Sequence, residues 1–403
     1  MEISTIDTHQ EEFLRALRSI NEKADVDPDT IDLLEAYSRI RLEAGNDIDF
    51  YAPKFSSIKK QQALVEILEK NDGLSEESIN LLTAYFHEMR KKGHVCVLNT
   101  NHLANLLDYP PEELFRVAKG ASRNYTEHYI SKRNGDKRQL LSPGHDLKAA
   151  QRKILDTLLG KVPVSNHAEG FRNKRSIVTN AQRHTGKKLI VKLDVSDFFP
   201  SISSIRVKGA FDSLGYPDKV SKLLTMLTTH NGYLPIGAPT SPAISNVICR
   251  RLDKRFAQLG KKMDFSYSRY ADDITVSSNN PRLPSLIPLF KEVLLSEGLV
   301  PNEAKIKVVR DARRQEVTGI VVNSHMNIAR NEIKRLRAVL HNCRRNGLAA
   351  EAGKWAREIK KLPGTARYSE HDFRRSLFAK INHVKMVNPR AGERLLESFK
   401  QIA

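Results

Sequence analysis

The sequence predicts an α+β chain, with antiparallel strands in its middle and helices at both ends, and three observations lead there. Phe265–Ser278 alternates aromatic and β-branched residues on both sides of Tyr270-Ala271-Asp272-Asp273, the pattern of a β-hairpin with two carboxylates at its tip. Leu189, Ile190, Val191 and Leu193 make an apolar strand that runs into Asp194 and stops at Pro200. Residues 1–97 and 328–403 instead repeat apolar residues at helical spacing.

At 403 residues, 40% hydrophobic and 28% charged, the chain can bury a sizeable core and divide into roughly two or three domains. It has no run of about 18 apolar residues, and its start, Met-Glu-Ile-Ser-Thr-Ile-Asp, lacks the basic-then-apolar layout of a signal peptide. A soluble cytoplasmic protein with no membrane partner is expected. Cys96, Cys249 and Cys343 are scattered without metal-type spacing, and their odd number argues against a disulfide framework, so they read as small core residues. The net charge of +19 divides unevenly: −7 over residues 1–100, +15 over 101–320 and +11 over 321–403. A basic body of this kind suits a polyanion, held through phosphate contacts that weaken with salt.

Taken in order, residues 1–97 read as an acidic helical extension. His9–Lys23 carries Phe13, Leu14, Leu17 and Ile20, Asp29–Glu43 carries Ile31, Leu34, Tyr37 and Ile40, and Leu64–Glu69 and Glu77–Met89 continue the pattern, with Pro28 and Pro53 as breaks. Such a module offers a contact surface to another protein, another copy, or the basic body. Asn101–Leu107 and Pro111–Lys119 follow as short helices, then Tyr129–Leu141 as two strands about an Asn134-Gly135 turn. Lys132, Arg133, Lys137 and Arg138 make that hairpin basic, able to grip a triphosphate or a template backbone. Ser241–Leu259 reads as one helix with Ile244, Ile248, Leu252, Phe256 and Leu259 on a face. From Ile328 onward Ile333, Leu336, Val339 and Leu340 form an apolar stripe, beside Arg330, Lys334, Arg335, Arg337, Arg344 and Arg345, and Phe373–Val387 repeats the mixture.

The chemistry concentrates in the acidic residues. Asp272 and Asp273, adjacent on a tight turn, repel each other and lack the donors of a helix start, so a bound cation is the natural way to keep both ionised. Oxygen-only ligands favour magnesium or manganese. If the strand ending at Asp194 pairs beside the hairpin, three carboxylates surround two cations about 3.5–4 Å apart, the arrangement that clamps attacking and leaving oxygens in phosphoryl transfer.

Residues 98–403 resemble a retron-type reverse transcriptase. Asp194-Val-Ser-Asp-Phe-Phe199 is similar to the first palm motif of reverse transcriptases, Gly237-Ala-Pro-Thr-Ser-Pro-Ala-Ile-Ser-Asn246 to the second and Tyr270–Asp273 to the third. Asn180-Ala181-Gln-Arg-His184 resembles the Asn-Ala-x-x-His signature of retron enzymes, and Val317-Thr318-Gly319 their thumb-proximal Val-Thr-Gly signature, a region associated with RNA recognition. The resemblance implies a right-hand polymerase fold: fingers and a palm with an antiparallel sheet over 98–327, and a basic, RNA-binding helical thumb over 328–403. It makes Asp194 and Asp272 the principal ligands of two Mg²⁺ ions, Mn²⁺ being an alternative, with the Val195 carbonyl a further ligand and Asp273 the third acid. Lys137 and Arg138 would hold the incoming triphosphate, Asp197, Phe198 and Gly237 would line the nucleotide site, and the Phe199 ring would exclude a ribose 2′-hydroxyl. Lys305 is the candidate for the lysine that approaches the leaving phosphate, with Lys307 its rival. Many relatives have glutamine before the glycine of the second motif, and here Ile236 stands in its place.

The implied activity is RNA-directed DNA synthesis from dNTPs on a cognate structured noncoding RNA, the msr-msd transcript. Its product is a branched, RNA-linked single-stranded DNA, and the setting is an antiphage system with an effector protein. A homo-oligomer is compatible with it. A group II intron enzyme would carry a longer palm insertion and a DNA-binding or endonuclease tail, a diversity-generating enzyme Ser-Gln where Thr240-Ser241-Pro242 stands, and a catalytically silent RNA-binding scaffold would not need three carboxylates.

Overall fold

The computed structural model describes residues 84–85, 87–131, 135, 137–358 and 369–402. The helices expected at 9–23, 29–43 and 64–69, the first part of that at 77–89, and Lys132, Arg133 and Asn134 lie outside the described residues. Residues 87–91 are helical, as the pattern ending at Met89 predicts. The chain forms two compact units, one comprising residues up to Ser165 together with Asp197–Arg250, the other Asn166–Ser196 together with Arg251–Ala403.

Helices α1 (Thr100–Leu106) and α2 (Pro111–Gly120) precede the hairpin of β1 (Tyr125–Ser131) and β2 (Lys137–Pro143), and α3 (His145–Thr157) follows. The chain then enters the second unit for α4 (Ile177–Gln182) and β3 (Leu189–Asp194). It returns to the first for α5 (Ser204–Ser213), α6 (Asp218–Thr228) and α7 (Ser241–Ile248). From Arg251, the second residue of α8 (Arg250–Met263), onward it stays in the second.

In the first unit, α1 starts where the Asn99 side chain accepts the His102 amide, and α2 starts on Pro111, whose missing N–H costs nothing at that position. Their apolar faces meet those of α3 and α6, with Leu103, Leu107, Leu114, Leu147, Ile154, Leu224 and Leu227 all buried. The hairpin runs in register from Tyr125 opposite Pro143 to Ser131 opposite Lys137, four residues longer at its start than the alternation from Tyr129 predicts. One expectation is corrected: Ser241–Leu259 is not a single helix. Cys249, at φ −78° and ψ 3°, ends α7, and α8 begins at the next residue, where the Arg250 guanidinium donates to the Pro163 carbonyl. Because Ile248, Leu252 and Phe256 keep the same apolar spacing across the break, periodicity alone reads through it.

The second unit is built on a four-stranded sheet in the order β4 (Ser266–Tyr270), β5 (Asp273–Ser278), β3, β6 (Lys307–Arg310). All its pairs are antiparallel. Helix α9 (Ile287–Ser296) lies between β5 and β6 in sequence. One face of the sheet rests on α8 and α9: Phe256 stacks on Tyr267 at 4.6 Å and touches Phe290 at 5.5 Å. On that face the Arg269 guanidinium grips Asp253 with two bonds of 2.9 Å, and the Tyr267 hydroxyl donates to the same carboxylate at 2.7 Å. Both partners of the ion pair are buried, so its loss would strand an uncompensated charge.

Beyond the sheet, β7 (Glu316–Val317) and β8 (Ile320–Val321) form a small hairpin that leads to α10 (Arg330–Asn346), α11 (Leu348–Glu358), α12 (Glu370–Val387) and α13 (Pro389–Lys400). A continuous apolar core joins Ala181 of α4 and Ile190 of β3, through Val317 and Ile320, to Ile333, Leu336 and Leu340 of α10 and to Phe373, Leu377 and Ile381 of α12. The apolar stripe predicted for α10 is thus its core face. All three cysteines are free and buried. Among the described residues no helix is long and apolar enough to cross a membrane.

Candidate active site

Strand pairing brings the acidic residues together. Tyr270 pairs with Asp273, closing the β4–β5 hairpin over Ala271 and Asp272, with Ala271 in the left-handed region at φ 57°. Asp194, the last residue of β3, pairs directly with Asp273, so the strand lies beside the hairpin. The Val195 amide donates to the Asp272 carbonyl at 3.3 Å, and on the other side Asn302 donates to the Asp194 carbonyl at 2.8 Å. The end of β3 is therefore fixed from both flanks. The hairpin's outer edge is covered as well: Glu169 donates to the Arg269 carbonyl and Arg269 to that of His167, each at 2.8 Å. Gly170 sits so close that a Cβ there would stand 3.0 Å from the Ala271 nitrogen.

Cross-strand partners and alternate residues share a face of a sheet. Lys192, Asp194, Tyr270, Asp273, Ser268, Thr275 and Ser277 consequently lie on one face, opposite to Arg269 and Ile274. At its tip end two lysines answer the carboxylates: Lys305 Nζ is 2.7 Å from Asp194 Oδ2, and Lys192 Nζ is 3.8 Å from Asp273 Oδ2. Burial raises the Asp273 carboxyl above its ordinary range, opposed by Lys192 and Lys305 and reinforced by Asp272 and Asp194. Among the described residues no three His, Cys, Asp or Glu side chains converge closely enough to hold an ion by themselves. The ammonium groups of Lys305 and Lys192 stand against the Asp194 and Asp273 carboxylates. Clustered oxygen donors that already attract cations fit a divalent ion.

The remaining candidates are placed as follows. Lys137 and Arg138 are exposed on β2, across from Ser131 and Ile130. Asp197 is exposed with φ 43°, Phe198 is buried, and the Phe199 ring, half-buried, meets it edge-on at 5.2 Å. Gly237 has φ 121°, and a Cβ there would stand 2.7 Å from the Leu141 carbonyl oxygen, so the glycine lets this loop seat against β2, where the Leu141 amide donates to the Ile236 carbonyl. Lys305 closes a short 3₁₀ turn, while Lys307 lies on β6 opposite Lys192.

The first short signature is placed inward at Asn180, Ala181 and His184, whereas the second runs from buried Val317 to exposed Gly319. Asn180, Ala181, His184 and Val317 are buried, and Thr318 and Gly319 form the left-handed turn between β7 and β8 at φ 46° and 82°. Sequence reasoning passed over Lys192, although its place two residues before Asp194 on a strand puts it on the same face. It also passed over Glu169, Gly170 and the Arg269–Asp253 pair, whose partners are distant in sequence and carry no local signal.

A family model described as reverse transcriptase (RNA-dependent DNA polymerase) matches residues 130–362. The chain belongs to this family. Its fold is accordingly the right-hand polymerase fold, with β3 to β6 as the palm sheet, and members of the family use divalent metal ions. The chain is 35% identical over 297 residues to the retron Mx162 reverse transcriptase of Myxococcus xanthus, covering 64% of this chain and 61% of that protein. It is 36% identical over 298 residues to the retron Mx65 enzyme of the same organism, covering 69% and 65%. With the retron Ec86 reverse transcriptase of Escherichia coli it shares 32% over 258 residues, covering 63% and 81%. The chain thus spans less than two thirds of the length of the two Myxococcus relatives.

Proposed function

We propose that this chain synthesises DNA on a cognate structured noncoding RNA of the msr-msd type, giving a branched RNA-linked single-stranded DNA within a retron antiphage system of the cytoplasm. The observation that carries the reading is the pairing of Asp194 with Asp273 beside Asp272 at one end of the palm sheet. Two Mg²⁺ ions, or Mn²⁺ in their place, would be held by Asp194, Asp272, Asp273 and the Val195 carbonyl, and would supply activation of the primer hydroxyl and charge neutralisation at the pyrophosphate. Lys137 and Arg138 grip the dNTP triphosphate, Asp197, Phe198 and Gly237 shape the nucleotide site, and the Phe199 ring excludes a ribose 2′-hydroxyl. Lys305, released from Asp194, donates a proton to the leaving phosphate or neutralises it. Residues 98–327 act as fingers and palm, the basic helices of 328–403 follow the RNA backbone, and residues 1–97 contact an effector protein or a second copy.

The test is purification with endogenous nucleic acid, followed by RNase and DNase digestion. A short DNA covalently joined to RNA is expected from the unmodified protein and not from the Asp272→Ala/Asp273→Ala variant. Intact RNA with no DNA from the unmodified protein would mark an RNA-binding scaffold instead. For the extension, deletion of residues 1–97 is expected to abolish partner association and phage protection; unchanged protection removes that assignment.

A further inference from the structure

Helix α4 and the residues just past it are bonded to the β4–β5 hairpin, to the segment that covers its edge and to the β7–β8 turn. Its N-terminal turn is closed by a capping box in which Ser176 and Thr179 exchange bonds, and the Thr179 hydroxyl also donates to buried Glu169 at 2.6 Å. Arg183, just past the helix, donates to the same carboxylate at 2.5 Å. Glu169 belongs to the segment covering the hairpin's edge, so these bonds tie that cover to α4. In the same N-terminal turn the Ile177 carbonyl accepts from the Thr318 hydroxyl at 3.1 Å, and Val317 packs in the same core as Ala181.

From Asn180 to His184 the chain forms a closed polar network with the hairpin. Ser268 Oγ donates to Asn180 Oδ1 at 2.5 Å, and the His184 ring spans both strands of the hairpin, with Nε2 2.7 Å from Ser268 Oγ and Nδ1 2.7 Å from Ser277 Oγ. The proton count fixes the arrangement. An amide oxygen only accepts, so the single Ser268 proton goes to Asn180, and Ser268 must then accept from His184 Nε2–H. That leaves Nδ1 bare, to accept from the Ser277 hydroxyl. A neutral imidazole satisfies every group, and all four side chains are buried.

We propose that the Asn180-Ala-x-x-His184 and Val317-Thr318-Gly319 signatures are the two ends of one strut, with Asn180 and His184 as positioning residues that hold the Asp272–Asp273 hairpin in place beside Asp194. Their buried members, Asn180, Ala181, His184 and Val317, then act through the fold. This rests on the reading of Asp272 and Asp273 as metal ligands. Ser268 precedes Asp272 by four residues and Ser277 follows Asp273 by four, so the bridge across them sets the twist of the hairpin just behind its tip.

The full-length protein is tested with poly(rA)·oligo(dT) as primer–template, Mn²⁺ binding by electron paramagnetic resonance, and filter binding of labelled RNA extracted from the unmodified protein. His184→Leu is expected to lower kcat on the order of tenfold and to weaken Mn²⁺ binding, with KM for dTTP and RNA affinity within about twofold. His184→Gln, which keeps a donor and an acceptor, is expected to restore both. Ser277→Ala, milder and applicable if the leucine variant fails to fold, is expected to move kcat and Mn²⁺ affinity in the same direction. Weakened RNA binding with unchanged kcat and Mn²⁺ affinity in either variant would overturn the strut. Asp272→Ala is expected to lose Mn²⁺ binding; if it binds normally, the metal assignment falls, and the role of the strut with it.

Discussion

The two ends of one sheet face solve opposite problems. At the tip, Asp194, Asp272 and Asp273 crowd charges together and leave them partly open, each of the paired strands answered by a lysine. Four residues back, Ser268 and Ser277 carry no charge, are buried, and have every proton assigned by Asn180 and His184. Charge repulsion at the tip lowers stability in the absence of a cation, whereas a satisfied neutral network contributes stability and fixes geometry. The difference shows how a strand pair can be rigid at its root and remain electrostatically open where a ligand must enter.

The largest effect comes from the tip. Asp194→Ala or Asp272→Ala is expected to reduce DNA synthesis on the order of a thousandfold or more, several kcal/mol of transition-state stabilisation, while leaving the urea unfolding midpoint unchanged or raised, because a repelling charge is gone. Primer extension and urea unfolding on the same preparations check this. A large loss of stability in these variants would erase the contrast between the two ends.

The root should respond the other way. His184→Leu leaves the Ser277 hydroxyl without its acceptor and Ser268 without its donor inside the core, which costs about 1–3 kcal/mol for each stranded group. The urea midpoint is expected to fall clearly, and to recover in part in the triple variant His184→Leu/Ser268→Ala/Ser277→Ala, where no polar hydrogen-bonding partner is stranded except Asn180. Failure to recover would mean that packing, not hydrogen bonding, dominates at this site.

The same histidine gives a pH signature. Burial, with the charges of Arg183 and Lys187 adding, pushes the His184 imidazole down to about 3, and the groups facing it are the uncharged Ser268 and Ser277. Between its ordinary value and about 3 only the unfolded chain takes up the proton. Stability is therefore expected to fall as pH drops from near 6.5 toward 3, by up to about 1.4 kcal/mol per unit from this group. His102, pushed down to about 4 by burial in the first unit, acts in the same direction. The contribution of His184 is isolated as the difference in slope between the unmodified protein and His184→Gln, measured by urea unfolding at pH 7 and pH 5.

How much of this could be read from residues alone follows from what each feature depends on. Asp194, Asp272 and Asp273 were legible because strand alternation and turn chemistry are local, and a pair of adjacent acids at a turn is chemically expensive without a ligand. The apolar stripe of α10 was legible for the same reason. The break at Cys249 was not, since apolar spacing continues through it. Gly237 was recognisable from its motif as a residue of the nucleotide site, but its close approach to the Leu141 backbone, nearly 100 residues earlier, is encoded by no local pattern. Asn180 and His184 were recognisable as a motif, but polar residues on and just past a six-residue helix look solvated until the strands that bury them are placed. Arg269 and Asp253 are hidden likewise: a buried pair is visible only when two elements meet.

Lys192 offers the smallest effect and the most direct test of the openness of the tip. It stands on the same face as Asp194, 3.8 Å from Asp273, and both side chains keep part of their surface in solvent, at 27% and 33%. Its ammonium partly offsets the repulsion among the aspartates, and it competes with any divalent cation for the same oxygens. Lys192→Met keeps the length of the chain and removes the charge. Mn²⁺ affinity is expected to rise by a few-fold, on the order of half a pK unit, while the urea midpoint at low divalent-ion concentration drops slightly. The opposite sign, weaker Mn²⁺ binding in Lys192→Met, would place the lysine with His184 as a support of the hairpin and move the boundary between the two ends of the face toward the tip.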